Sequence, residues 1–234
     1  MSRYTRRVRH SRAARHGEEP MTSETSREAC LRAFLDLLAQ RPYGAIDLAE
    51  VAERAGVPLA EMRATFAGRP DLLAAFFRAT DRHVLAEGGP DSEDLAGEGP
   101  KERLFEVLMR RLDALEPHKD AVRGLVRSAR RDPALALVML RLSERSQRWM
   151  LAAAGIGCTG LSGSVRAKGL ALLFARIVGI WLDDEDIGLA RTMAALDREL
   201  DTGAQLLGML DDLAFIAVPG RPRRARGPQT EAPA

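Results

Sequence analysis

Four histidines, two cysteines and one run of acids are the residues in this 234-residue chain with the chemistry to catalyse a reaction or hold a metal. His10, His16, His83 and His118 are scattered along the chain. Neither Cys30 nor Cys158 has a second Cys or a His at metal-ligand spacing, so both read as reduced, buried thiols. Asp183, Asp184 and Asp186 could attract a divalent ion. Acids just ahead of a helix are explained more simply by its dipole and its free N–H groups. The HExxH, GxSxG and P-loop patterns are absent. The chain is therefore not read as an enzyme, and no catalytic residue, metal or cofactor is expected. The groups best suited to act on another molecule are Glu61, Arg63 and Thr65, with Arg69 close behind. Their chemistry is hydrogen bonding and charge pairing with polar groups of a partner.

The stretch that must position them runs from Ile46 to Phe66, IDLAEVAERAGVPLAEMRATF. Its pattern predicts a short helix over about Leu48–Arg54, with Leu48, Val51 and Ala52 facing one core. Asp47 suits the N-cap. Gly56 supplies the positive φ that ends a helix sharply. Val57 can plug the corner, and Pro58 suits the first turn of a second helix. A short helix, a Gly-containing turn and a second helix make a helix-turn-helix, whose second helix could enter a DNA major groove.

With the helix before it and AGRPDLLAAFF after it, this stretch resembles the N-terminal domain of the TetR family of bacterial regulators. Ala52, Ala55, Gly56, Val57, Phe66, Asp71, Leu72 and Leu73 stand where that family's pattern expects such residues. The resemblance covers about residues 25–85. It implies an all-α, TetR-like fold: an N-terminal three-helix helix-turn-helix domain and a larger C-terminal helical bundle for ligand binding and dimerisation. The family's second helix usually offers small polar or basic residues and a Tyr that packs on phosphate. Here those places hold Leu59, Ala60, Glu61 and Arg63, and Arg69 keeps the charge of the family's Lys.

Composition agrees with an all-helical chain. Apolar content is 46%, aromatics are 5%, and no alternating β-branched run stands out. The net charge of +2 excludes a generic polyanion binder. It is unevenly spread, because residues 1–17 hold six arginines and no acid, and residues 219–226 hold four more. No signal-peptide pattern and no membrane-length apolar run is present, so a cytoplasmic protein is expected. The chain divides into a disordered basic arm (1–22), the helix-turn-helix domain (23–86), a Gly-, Pro- and acid-rich linker (87–100), a C-terminal helical domain (101–218) and a disordered tail (219–234). The arm could follow a DNA minor groove or merely be solvated.

Within 101–218, helices are expected over Lys101–Glu116, Lys119–Arg131, Asp132–Ala154, Val165–Leu182, Ile187–Leu200 and 204–218, with Thr202 and Gly203 breaking the last two apart. A Gly/Ser connection spans 155–164. Large side chains on the central helices, Leu108, Met109, Met139, Trp149, Met150, Phe174 and Trp181, could line a cavity for a mostly apolar ligand or could simply fill a core. Gly169 and Gly179 would let an apolar helix approach a second copy, giving a homodimer.

The stretches RLFEVLMRRLDALEPHKDAVRGL, RRDPALAL and WLDDEDIGLARTMAALDREL give a second resemblance. Over about 101–202 they look like the lipid-binding accessory proteins of ubiquinone biosynthesis. That resemblance implies an isoprenoid lipid in the pocket, a helix-turn-helix not used on DNA, and a peripheral membrane contact through 204–218. The polar strip of that segment, Asp211 and Asp212, is acidic where an interfacial helix usually carries Lys or Arg. Two functions follow: a dimeric regulator whose DNA binding is controlled by an apolar small molecule, and a lipid carrier on the same fold.

Overall fold

The computed structural model describes residues 23–87 and 97–217, the side chains of Ser23 and 204–217 excepted. The basic arm, most of the linker, the tail and the side-chain chemistry expected of 204–218 lie outside the described residues. Nine α-helices and no strand are found among them.

Helix α1 (Ser23–Gln40) places Phe34, Leu37 and Leu38 at helical spacing, and all three are fully buried. A 3-10 turn at Tyr43–Ala45 leads into α2 (Leu48–Ala55). The Asp47 carboxylate accepts the Ala49 N–H at 2.9 Å and caps α2 as expected. Gly56 closes it at φ 66°, a left-handed conformation that a side chain resists. Val57 is buried in the corner. Helix α3 (Leu59–Thr65) follows, with extended Pro58 as its N-cap rather than inside its first turn. Helix α4 (Arg69–Ala86) then runs from the helix-turn-helix into the body.

The body consists of α5 (Pro100–Leu115), α6 (Lys119–Ala129), α7 (Pro133–Ala153), α8 (Gly160–Leu182) and α9 (Ala190–Ala217). Asp132 caps α7 by accepting the Ala134 and Leu135 N–H groups. The buried residues of α1–α4 and of α5–α9 belong to one continuous apolar cluster. Helices α1 and α6 pack closely, and a methyl at Gly124 of α6 would overlap the Leu38 carbonyl of α1. The Tyr43 N–H also donates to Ser128 Oγ on α6, at 3.1 Å.

Four expectations are corrected. Helix α8 begins at Gly160, because the Gly160 backbone turns at φ 69° and Gly163 lies against the Cys158 backbone where only a glycine fits. The next helix begins at Ala190 rather than Ile187, since Leu189 sits at φ 50° and Ile187 is fully exposed. Thr202 and Gly203 do not break α9. Thr202 Oγ1 donates back to the Arg198 carbonyl at 2.9 Å, and a single interior glycine costs only about 1 kcal/mol against alanine. Trp149 does not face the core of α7 but is 56% exposed.

The acids before α9 act as its cap. Asp184 is buried and accepts both the Thr192 hydroxyl (2.7 Å) and the Thr192 N–H (2.9 Å). Asp186 accepts the Ala190 N–H. The Thr192 hydroxyl bond, more than any other cause, holds the Asp184 carboxyl below the usual carboxylate range.

Two tests follow. Gly124→Ala should lower the urea unfolding free energy by about 1–3 kcal/mol, because backbone rather than a movable side chain occupies the space. Because the folded value for Asp184 is depressed, its bonds contribute stability in full above about pH 4, where the unfolded carboxyl titrates, and lose it as pH falls through the folded value. The urea midpoint of Asp184→Asn should therefore lie below that of the unsubstituted protein at pH 7 and approach it in acid.

Candidate nucleic-acid interface and ligand cavity

Of the four side chains expected to meet DNA, the fold leaves one free. Arg63 is exposed on α3 and has no hydrogen bond or ion pair among the described residues. Glu61 accepts the Ser26 hydroxyl at 2.5 Å, tying α3 to α1. Thr65 Oγ1 donates to the Glu61 carbonyl at 3.1 Å, within its own helix. Arg69 turns inward. Its Nη1 donates to the Tyr43 (3.0 Å) and Gly44 (2.7 Å) carbonyls, and its guanidinium lies 5.3 Å from the Tyr43 ring centre. It adds a charged donor to two carbonyls of the 3-10 turn, of which the Tyr43 carbonyl also accepts the Ile46 N–H. Sequence reasoning could not see this, because the acceptors are backbone atoms 25 residues away.

The outward face of α3 also shows Leu59 (53% exposed), Ala60 and Ala64. Such a face can touch thymine methyl groups, while Arg63 can bond guanine or phosphate. Helices α2 and α1 support it: Val51 and Ala52 of α2 and Met62 of α3 are buried, and Arg27 of α1 lies over the Phe66 ring at 5.3 Å.

In the body, α4 to α8 together line a half-open cavity of about 410 Å³. Its walls are chiefly apolar, and of the seven ligand candidates Met139 and Phe174 line it. The other five do not. Leu108, Met150 and Trp181 are fully buried in the packing, and Met109 packs partly buried against the same core. Trp149 faces outward. Trp181 is held by its Nε1–H donating to Glu116 at 3.0 Å, with the Lys119 ammonium 4.8 Å from its ring centre.

The sequence pattern missed a charged pair at the cavity. Arg111, 3% exposed, lines it from α5. Its Nη1 donates to Asp81 of α4 at 2.5 Å, and Ser146 of α7 donates to the same carboxylate oxygen at 2.5 Å. The guanidinium lies 5.6 Å from the Phe174 ring centre on α8. Burial pushes the guanidinium pKa down, and Asp81 opposes that. The warning in the sequence was an arginine at the apolar register of α5, three residues after Leu108. Among the described residues no group of three or more His, Cys, Asp or Glu could hold a metal ion. His118, half buried with its edge against the Phe76 ring, has its pKa lowered by that burial.

This architecture recurs in solved structures. A TetR transcriptional regulator from Nitrosomonas europaea superposes with a TM-score of 0.59 at 24% identity, covering 80% of this chain and 99% of its own. A TetR-family regulator from Streptomyces coelicolor gives 0.52 at 18% identity, covering 84% and 87%. A TetR regulator from Rhodococcus sp. RHA1 gives 0.50 at 20%, covering 77% and 96%. The chain has the TetR fold. No protein-family model and no curated protein matches its sequence. The resemblance of residues 101–202 to lipid-binding accessory proteins of ubiquinone biosynthesis finds no support in these comparisons.

The buried pair gives a third test. Asp81→Ala leaves the Arg111 charge unpaired and should destabilise the protein by about 3–5 kcal/mol. Removing both charges together in Asp81→Asn/Arg111→Met should have a much smaller effect on the denaturation midpoint. Equal losses in the two variants would contradict the pairing.

Proposed function

We propose that this chain is a dimeric transcriptional regulator of the TetR type, whose affinity for DNA is set by an apolar small molecule bound in the α4–α8 cavity. The observation that carries the reading is the position of α4. Its first residues hold the helix-turn-helix, and Phe76, Phe77 and Thr80 further along line the cavity. A ligand that favours one position of α4 thereby favours one placement of α3.

Dimerisation follows from α8. Leu161, Val165 and Leu172 are exposed (89%, 50% and 61%), and nothing lies within 4 Å of a Cβ at Gly169 or Gly179. At spacings of four and seven these residues share one helix face. A second copy packed there would bury that face and set two α3 helices on one duplex, about one turn apart. Such a protein works in the cytoplasm, and none of its described helices is long and apolar enough to cross a membrane. A helical domain over 101–218, joined to the helix-turn-helix domain (23–86) by a linker at 87–100, fits this division of labour.

The test is binding to the protein's own upstream DNA and to random DNA across a salt series. A specific site should exceed random DNA by a factor on the order of 10³ or more. Equal binding to both would refute the regulator. Arg63→Ala should weaken specific binding by roughly 5- to 150-fold and leave thermal stability unchanged, since the side chain has no intramolecular partner. Leu172→Glu should give a monomer by light scattering and lose the specific complex.

A further inference from the structure

The α4–α8 cavity holds one polar feature that the protein's own packing leaves incomplete. Arg111 is buried, and its Nε has no hydrogen-bond partner although it is shut away from solvent. Nη1 is occupied by Asp81, with the Met150 sulfur 3.9 Å away as its other neighbour. A buried donor of a charged group without an acceptor is strongly unfavourable and marks a place where an acceptor belongs. The side chain borders open space, because Arg111 is among the cavity's lining residues together with Thr80 and Ser143. The Thr80 hydroxyl proton is already given to the Phe76 carbonyl at 3.1 Å. Ser143 and the exposed Arg130 also line the cavity. Arg111 is the buried charged donor among them, and its Nη2, unlike the enclosed Nε, is the nitrogen left for a guest.

Charge balance then restricts the guest further. Asp81 neutralises Arg111 at 2.5 Å, and Ser146 satisfies the same carboxylate oxygen. A ligand carboxylate would bring a second anion beside Asp81 in a site of low dielectric, at a desolvation penalty that the shared guanidinium cannot offset twice. An uncharged acceptor, such as a ketone, ester or ether oxygen, meets the donor without that penalty. Apart from Thr80, Ser143 and the solvent-exposed Arg130, the remaining walls, including Phe77, Val126, Met139 and Phe174, offer apolar contact.

We infer that the cavity selects an uncharged, largely apolar ligand with a single acceptor oxygen, and that Arg111 is the specificity-determining residue that binds this oxygen. The inference rests on the reading of this cavity as the effector site. A matched series tests it: 4-acetylbiphenyl (uncharged acceptor), biphenyl-4-carboxylate (anion) and 4-ethylbiphenyl (no acceptor). Dissociation constants are measured by calorimetry on the full chain at pH 7.5. The ketone should bind about 10-fold or more tightly than the ethyl compound, as one hydrogen bond to a charged donor implies. It should also bind more tightly than the carboxylate. In Asp81→Asn/Arg111→Met, with folding checked by circular dichroism, the ketone and ethyl compounds should bind alike.

The infrared carbonyl band of bound 4-acetylbiphenyl gives a readout that needs no variant. It should lie at lower wavenumber than in an apolar solvent. Equal affinities for the ketone and ethyl compounds, or an unshifted band, would overturn the role of Arg111 and leave the cavity as an apolar site. Preference for the carboxylate would overturn the uncharged class. No binding by any of the three would overturn the effector-site reading itself.

Discussion

A single buried ion pair organises the body of this protein. Asp81 comes from α4, Arg111 from α5, Ser146 from α7, and the Phe174 ring beside the guanidinium from α8. Four helices are thus held to one another by groups that tolerate little displacement, since an ion separated from its partner in an apolar interior is strongly destabilised. The rest of the cavity wall, including the part made by Val122, Leu125, Val126 and Ala129 of α6, is held by apolar packing.

The helix-turn-helix domain is tied to the same body by three contacts of different kinds. Helix α4 is shared outright. Helix α6 touches α1 so closely that Gly124 admits no side chain, and Ser128 receives the Tyr43 N–H from the 3-10 turn. Arg69 then binds that turn to the start of α4 through the Tyr43 and Gly44 carbonyls. These contacts form a loop: α6 to the turn, the turn to Arg69, Arg69 into α4, and α4 back to the cavity. In the proposed regulator, a change in the cavity that moved α6 or α4 alone would strain this loop and so favour their joint movement with α3.

Much of this was legible in the sequence. The Asp47 cap, the Gly56 turn and the Val57 plug are local devices whose geometry is dictated by residue type. What was not legible has a different cause. The bonds of Arg69 to the Tyr43 and Gly44 carbonyls could not be read from its charge, because the acceptors are backbone atoms. Trp149 was placed inward because size and hydrophobicity suggest burial, yet the helix register turns it to solvent at 56%. The break expected at Thr202 and Gly203 rested on propensity, and the flanking turns of α9 override it. The cavity's polar pole was missed because an arginine at an apolar register looks like an exposed residue until a partner from another helix is known. The resemblance of the C-terminal half to lipid-binding accessory proteins is one that the comparisons leave unsupported.

The surface of α3 carries a last consequence. Its outward face offers one guanidinium, Arg63, among Leu59, Ala60 and Ala64. Affinity for DNA comes mainly from neutralised phosphates, whereas discrimination comes from base edges. In the proposed regulator the one cation on the outward face of each α3 would supply little of the first, and phosphate contacts would come from elsewhere; the chain's most basic stretch is residues 1–17 with six arginines. That division would leave α3 to select by shape and methyl contact while a sequence-independent segment supplies attraction. A second copy on the same duplex would then add the free energy of a second thin reading surface to the first.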